Sequence, residues 1–118
     1  AEAVRNYLND PMCGIMCTNQ LWLDVFDGLQ RITPLQNLSQ IHHLLPLFLF
    51  GGEQDPLHRG NRLLDLATAL RESGKQSVDV TLYPGMRHEP VNERNRAQVF
   101  SDIIHWIKHC CTTLPPSP

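Results

Sequence analysis

Between residues 45 and 50 the chain reads Leu-Pro-Leu-Phe-Leu-Phe, apolar at nearly every position, and then meets Gly51-Gly52. A strand with no polar side needs cover on both faces, the pattern of a central strand in a parallel sheet. Val78-Asp-Val-Thr-Leu-Tyr83 instead alternates apolar and polar side chains until Pro84-Gly85 breaks it, which predicts a second strand suited to a sheet edge. Between the two, residues 59–73 return to helical spacing, with Leu63, Leu66, Ala67 and Leu70 on one face. Gly74 follows as the residue fitted to the left-handed conformation beyond a helix end. Strand, helix, strand at this spacing implies a right-handed parallel crossover.

The flanking segments are helical by the same criterion. Residues 19–31 place Leu21, Val25 and Leu29 on one face with Trp22 and Phe26 beside it, and Gly28 weakens the end. Thr33, Pro34 and Gln36 have the spacing of a capped helix start, which predicts a helix to about His43 with Leu35, Leu38, Ile41 and Leu45 inward. Asn92 can cap a final helix through about Cys110, with Val99, Ile103, Trp106 and Cys110 on its buried stripe. Residues 1–18 carry the turn signals Asn9-Asp10-Pro11 and Gly14 and read as irregular, and the closing Leu-Pro-Pro-Ser-Pro reads as a disordered tail. The expected order is therefore helix, helix, strand, helix, strand, helix, an α/β fold without internal repeats.

Composition narrows the function classes. The 118 residues, 42% hydrophobic and 19% charged, suffice for one modest core and lie far from a disordered composition. Ten Lys+Arg against twelve Asp+Glu give a net charge of −2, which argues against a nucleic-acid partner. The longest apolar run, Leu44 to Phe50, falls well short of the roughly 18 residues of a membrane span, so no transmembrane segment is expected. The start, Ala-Glu-Ala-Val-Arg-Asn, does not read as a signal peptide, and the lack of an initiator Met leaves the natural start open. The cysteines form two pairs, Cys13/Cys17 and Cys110-Cys111, at spacings that match no zinc pattern. His105, His109, Cys110 and Cys111 are metal-capable side chains one helical turn apart, but they read better as a packed, apolar Cys110 with its neighbours pointing to water. No metal or organic cofactor is expected, and the thiols read as reduced, in a cytoplasmic protein.

In open parallel sheets, functional residues gather in the loops at the carboxyl ends of strands. Two such loops occur here: Gly51-Gly-Glu-Gln-Asp55-Pro56 after the apolar strand, and Pro84-Gly-Met-Arg-His88-Glu89 after the alternating one. Asp55 and His88 would then lie at one edge of adjacent strands. An Asp that accepts from one ring nitrogen of a His fixes its tautomer and stabilises the imidazolium during proton transfer. The bland alternative is that Asp55 caps the following helix and His88 is an ordinary loop residue. Glu89 could tune the histidine or be a solvated acid, His42-His43 read as facing water at a helix end, and Trp22, Phe26 and Leu29 could line an acyl pocket or simply pack.

The two strands with their loops, Leu45-Pro-Leu-Phe-Leu-Phe-Gly-Gly-Glu-Gln-Asp-Pro and Val-Thr-Leu-Tyr-Pro-Gly-Met-Arg-His-Glu followed by Asn92-Glu93, resemble the last part of an α/β-hydrolase. The group they resemble contains monoacylglycerol lipases, lysophospholipase-like and serine-aminopeptidase-like proteins. The resemblance implies a triad in the order nucleophile, acid, histidine, with Asp55 at the acid position and His88 at the histidine position. Tyr7-Leu8-Asn9-Asp10-Pro11-Met12-Cys13 resembles the cap segment of the same group, so residues 1–33 are expected to belong to a helical cap, 34–112 to the carboxyl-terminal part of the core, and 113–118 to the tail. The implied activity is hydrolysis of carboxylic esters, with lipid-like substrates such as monoacylglycerols or lysophospholipids.

One part of that pattern is missing. The serines stand at 39, 73, 77, 101 and 117, and none sits in a Gly-x-Ser-x-Gly elbow; Ser73 has Gly74 beside it but Arg71 two before. The chain is thus expected to hold two of three triad members and to be inactive alone, since a general base with no positioned hydroxyl does little chemistry. Two strands also make a marginal sheet. The apolar strand is expected to present an unpaired edge and an uncovered face, to be covered by the rest of a hydrolase or by self-association. Two alternatives stay open: a non-catalytic binding or assembly module derived from a truncated hydrolase, and a small α/β domain unrelated to hydrolases.

Overall fold

The computed structural model describes residues 2–57 and 61–113. Their elements are α1 (Glu2–Asn9), α2 (Asn19–Ile32), α3 (Leu35–Leu38), β1 (Leu47–Gly52), α4 (Arg62–Glu72), β2 (Val78–Tyr83), a 3-10 turn (Pro90–Asn92) and α5 (Arg96–Thr113). β1 and β2 pair in parallel, in register from Leu47 opposite Val78 to Gly52 opposite Tyr83.

Side chains alternate across this pair, and a helix covers each face. On one side Leu47, Leu49, Val78 and Val80 pack with Ala67 and Leu70 of α4 and with Leu38 of α3. On the other, Phe50 and Tyr83 pack with Met86 of the following loop and with Val99 and Ile103 of α5. Phe48 stacks on Trp106 with ring centroids 5.5 Å apart, and the Trp106 indole N–H donates to Asp79 Oδ2 at 2.8 Å. The uncovered face expected of the first strand is therefore partly covered, by α4 and α5 on opposite sides. Its second edge is unpaired among the described residues.

β2 occupies the span its alternation implied, and Gly74 ends α4 with φ +95°. β1 instead runs two residues later than the apolar block. Leu45 donates its N–H to His42 O in a turn and Pro46 has none to donate, whereas Gly51 and Gly52 continue the ladder opposite Leu82 and Tyr83.

Three expectations need larger correction. Residues 1–18 are not wholly irregular, because α1 spans Glu2–Asn9 and stops just ahead of Pro11, whose ring disfavours helical backbone at the residue before it. The helix expected from Thr33 to His43 shrinks to the four residues of α3. Thr33 closes α2 instead, its N–H and its hydroxyl both donating to Leu29 O. Beyond α3 the bonds tighten to Gln40 N–Asn37 O and Ile41 N–Leu38 O, so Leu38 is buried while Leu35 and Leu45 are each 50% exposed. Asn92 does not cap α5 but belongs to the 3-10 turn and donates through Nδ2 to Glu89 Oε2. α5 then starts at Arg96, with Val99 buried and Ile103, Trp106 and Cys110 half-buried, the stripe its spacing implied.

α2 forms where expected, but none of its residues is buried, and Leu21, Trp22, Val25, Phe26 and Leu29 present an open apolar face. The expected tail begins at Thr113, the last residue of α5; residues 114–118, like residues 59 and 60 of the helix expected over 59–73, lie outside the described residues. No described helix is long and apolar enough to cross a membrane.

Candidate active site

The carboxyl ends of β1 and β2 lead into two loops that are bonded directly to each other. After β1 the chain turns through Glu53 and Gln54, whose N–H groups donate to Tyr83 O at 3.0 Å and Met86 O at 2.8 Å. After β2 it turns at Gly85, φ +71°, and Met86 folds back into the core beside Tyr83 and Val99 while its N–H reaches Tyr83 O. The loops also approach each other closely at Gly52. A Cβ there would lie 2.0 Å from Arg87 O and 2.4 Å from Met86 O, so no larger residue fits without parting the loops.

This seam brings the two sequence-predicted residues together. His88 Nδ1 lies 2.9 Å from Asp55 Oδ2. The Asp55 side chain is 2% exposed and that of His88 61%, so the acid is held inside and the ring stands at the surface. Asp55 Oδ1 accepts the Leu57 N–H at 2.9 Å, and the Asp55 N–H donates to Gly52 O at 3.1 Å. An ionised carboxylate only accepts, so Nδ1 carries the shared hydrogen and Nε2 keeps the lone pair of the neutral ring. The hydrogen bond to Asp55 and its charge raise the His88 pKa above the ordinary imidazole value, burial opposes the rise, and the Glu89 charge adds to it.

The loop beyond His88 is bonded along its length. Glu89 takes a side-chain hydrogen bond from Asn92, the Arg87 N–H donates to Glu93 Oε1 at 3.1 Å, and Pro90 is buried. Beneath it the Tyr83 hydroxyl donates to Asp102 Oδ2 at 3.0 Å; burial first, then that carboxylate, push the phenol up to about 12. The Cys13 thiol is raised by burial first, then by Asp10 and, least, by the Glu89 charge.

The other candidates stay apart from this seam. His42 Nδ1 accepts the Leu44 N–H at 3.3 Å, and its ring lies 4.8 Å from that of His43, with both residues exposed. His105, His109, Cys110 and Cys111 lie along α5, and Cys110 is half-buried with its thiol raised by burial and by Asp79. All four cysteines are free thiols, and the described residues hold no group of three or more His, Cys, Asp or Glu side chains able to hold a metal. A cavity of about 410 Å³ lined by Leu44, Pro46, Asp79, His109 and Cys110 lies at the opposite, amino ends of the strands. Trp22, Phe26 and Leu29 lie on the open face of α2. No described serine hydroxyl bonds His88: Ser39 and Ser73 donate to carbonyls of their own turns, and Ser117 lies outside the described residues. Two contributors went unread in the sequence, Glu93 and the contact at Gly52. The only signal for the first was its place beside Asn92 in the resembling motif.

Comparison with known proteins relates the chain to a family and to solved structures. A family model described as serine aminopeptidase, S33, matches residues 1–95, a span that includes Asp55 and His88 and ends just before α5. A solved structure, a highly thermostable carboxyl esterase from Bacillus coagulans in complex with glycerol, aligns with 92% of this chain at a TM-score of 0.80 and 26% identity. This chain spans 36% of the length of that esterase. The two parallel strands with their flanking helices are accordingly part of an α/β-hydrolase fold.

Proposed function

This chain belongs to the serine aminopeptidase, S33, family of hydrolases, and on that basis we propose that it supplies the acid, Asp55, and the base, His88, of a Ser-Asp-His triad that hydrolyses carboxylic esters. The observation that carries the reading is the 2.9 Å contact between a buried carboxylate and an exposed imidazole at the carboxyl ends of adjacent parallel strands.

His88 Nε2 takes the proton of a serine hydroxyl as that oxygen attacks the ester carbonyl, and the resulting imidazolium is stabilised by Asp55. The tetrahedral intermediate collapses as His88 returns the proton to the departing alkoxide. Water, deprotonated by the same ring, then releases the acyl group. The nucleophile comes from a segment outside these residues, so the chain by itself hydrolyses nothing. Covering the open edge of β1 falls to the rest of that hydrolase, or to a second copy.

Lipid-like esters, monoacylglycerols or lysophospholipids, are the substrates we favour. The open apolar face of α2 supports residues 1–33 as part of a cap over an acyl chain. One relative with a solved structure is itself a carboxyl esterase. Four free thiols favour a reducing compartment, the cytoplasm.

The test uses the longer protein with an upstream Gly-x-Ser-x-Gly elbow and nitrophenyl esters of increasing acyl length. Turnover should rise with chain length and be lost in His88→Ala while the far-ultraviolet spectrum stays unchanged. Near-normal turnover in that variant removes His88 from the mechanism, and a preference for the shortest ester removes the lipid assignment.

A further inference from the structure

His88 lies mostly in solvent, so packing of its own ring does not hold it against Asp55; the course of the loop must. The first half of that loop is secured by Gly85 and by Met86, whose carbonyl accepts from Gln54. The second half is secured from α5. The Glu93 N–H donates to Pro90 O and its carbonyl accepts the Arg96 N–H, so its backbone joins the 3-10 turn to the helix that Val99 anchors in the core. From this point the Glu93 side chain turns back and takes the N–H of Arg87, the residue directly before the histidine.

We propose that Glu93 is a positioning residue for His88: by accepting the Arg87 N–H it closes the loop across its mouth and aims the imidazole at Asp55. Glu89, the other acid of the loop, does a different job, since its carboxylate is bonded to Asn92. The charge of Glu93 is not among the causes of the raised His88 pKa, which come from Asp55 and Glu89. Because Glu93→Asp keeps the charge, a change in His88 titration in that variant reports geometry. When the acceptor is lost, the Arg87 N–H turns to water, its peptide plane is free to rotate, and the ring following it leaves the Asp55 carboxylate. Displacements of about 1 Å in a catalytic group can cost on the order of a hundredfold in rate.

The proposal rests on the triad reading, and two nearly isosteric variants separate the outcomes. Glu93→Gln keeps an oxygen acceptor at the same reach and removes the charge. Glu93→Asp keeps the charge and shortens the reach by one methylene. In this chain, followed by proton magnetic resonance of the imidazole, E93Q should leave His88 titrating above the ordinary value while E93D brings it down. In the longer hydrolase E93Q should stay within about threefold of the parent, while E93D loses roughly 10- to 100-fold in kcat with KM little changed. Wild-type titration in E93D overturns the proposal, as does an E93Q variant impaired as severely as E93D. If E93D shifts the titration but neither it nor His88→Ala alters ester turnover, the link from Glu93 to His88 stands and the triad reading falls.

Discussion

Replacing Gly52 with Ala tests whether the seam between the two loops holds the Asp55–His88 pair. The added Cβ would start 2.0 Å from Arg87 O and 2.4 Å from Met86 O, against the roughly 3.5 Å that nonbonded atoms prefer. The loops must part by more than about 1 Å, which takes the Glu53–Tyr83 and Gln54–Met86 hydrogen bonds beyond bonding range. Two such bonds contribute about 1 kcal/mol each, and the forced shift of packed backbone costs about 1–3 kcal/mol more. The expected loss is about 3–5 kcal/mol, a large share of the roughly 5–15 kcal/mol that holds a domain together. Urea denaturation at pH 7 reads it as a lower midpoint at unchanged slope. Imidazole titration should show His88 back towards its ordinary pKa in whatever fraction stays folded. Gly28→Ala is the matched control, because its Cβ meets nothing within 4 Å and α2 should gain up to about 1 kcal/mol. If G52A costs less than about 1 kcal/mol and His88 still titrates high, the loops yield without strain and this reasoning fails.

Asp55→Asn should release the His88 tautomer, lower its pKa and cut ester turnover in the longer protein by about 10³- to 10⁴-fold; a smaller loss would remove Asp55 from the orienting role. The pair also sets a pH dependence: since the folded pKa of His88 is raised, its contribution to stability is complete below about pH 6.5 and fades as pH climbs through the folded value. Denaturation midpoints measured from pH 5 to 9 should show that decline in the parent and a weaker one in D55N; equal slopes would contradict it. Tyr83→Phe should cost about 1–2 kcal/mol, because it also strips Asp102 of a donor. Ultraviolet titration should show the Tyr83 phenol ionising near 12, so the stability tied to its neutral form is present below about 10 and lost on rising through about 12.

The strand–helix–strand unit and the meeting of Asp55 with His88 were legible because each rests on a pattern spanning several residues. Alternation bounds β2, helical spacing marks α4, and residues that follow adjacent parallel strands must share an edge. Short elements were not legible, because their competing signals are nearly equal. Thr33, Pro34 and Gln36 have the spacing of a helix start, yet the Thr33 hydroxyl finds the Leu29 carbonyl first and closes the preceding helix. α1 was hidden by the turn residues that follow it. Glu93 lay beyond reading for another reason. Its carboxylate matters through a bond to a backbone six residues earlier, and nothing local in a sequence records where a loop returns.

Asp55 and His88 both border a single crossover, β1–α4–β2, which has a consequence for the order of assembly. Their meeting needs only the 33-residue separation between them to close, and α4, whose contacts are local, shortens the chain that must be ordered. Loop-closure entropy grows only as the logarithm of length, and contacts near in sequence form early. The acid and the base can therefore find each other when this one unit condenses, before any distant hydroxyl is in place. In folding terms the pair behaves as a preassembled receptor for a nucleophile. The last step in building the site is then a docking event between finished surfaces rather than the simultaneous arrival of three side chains.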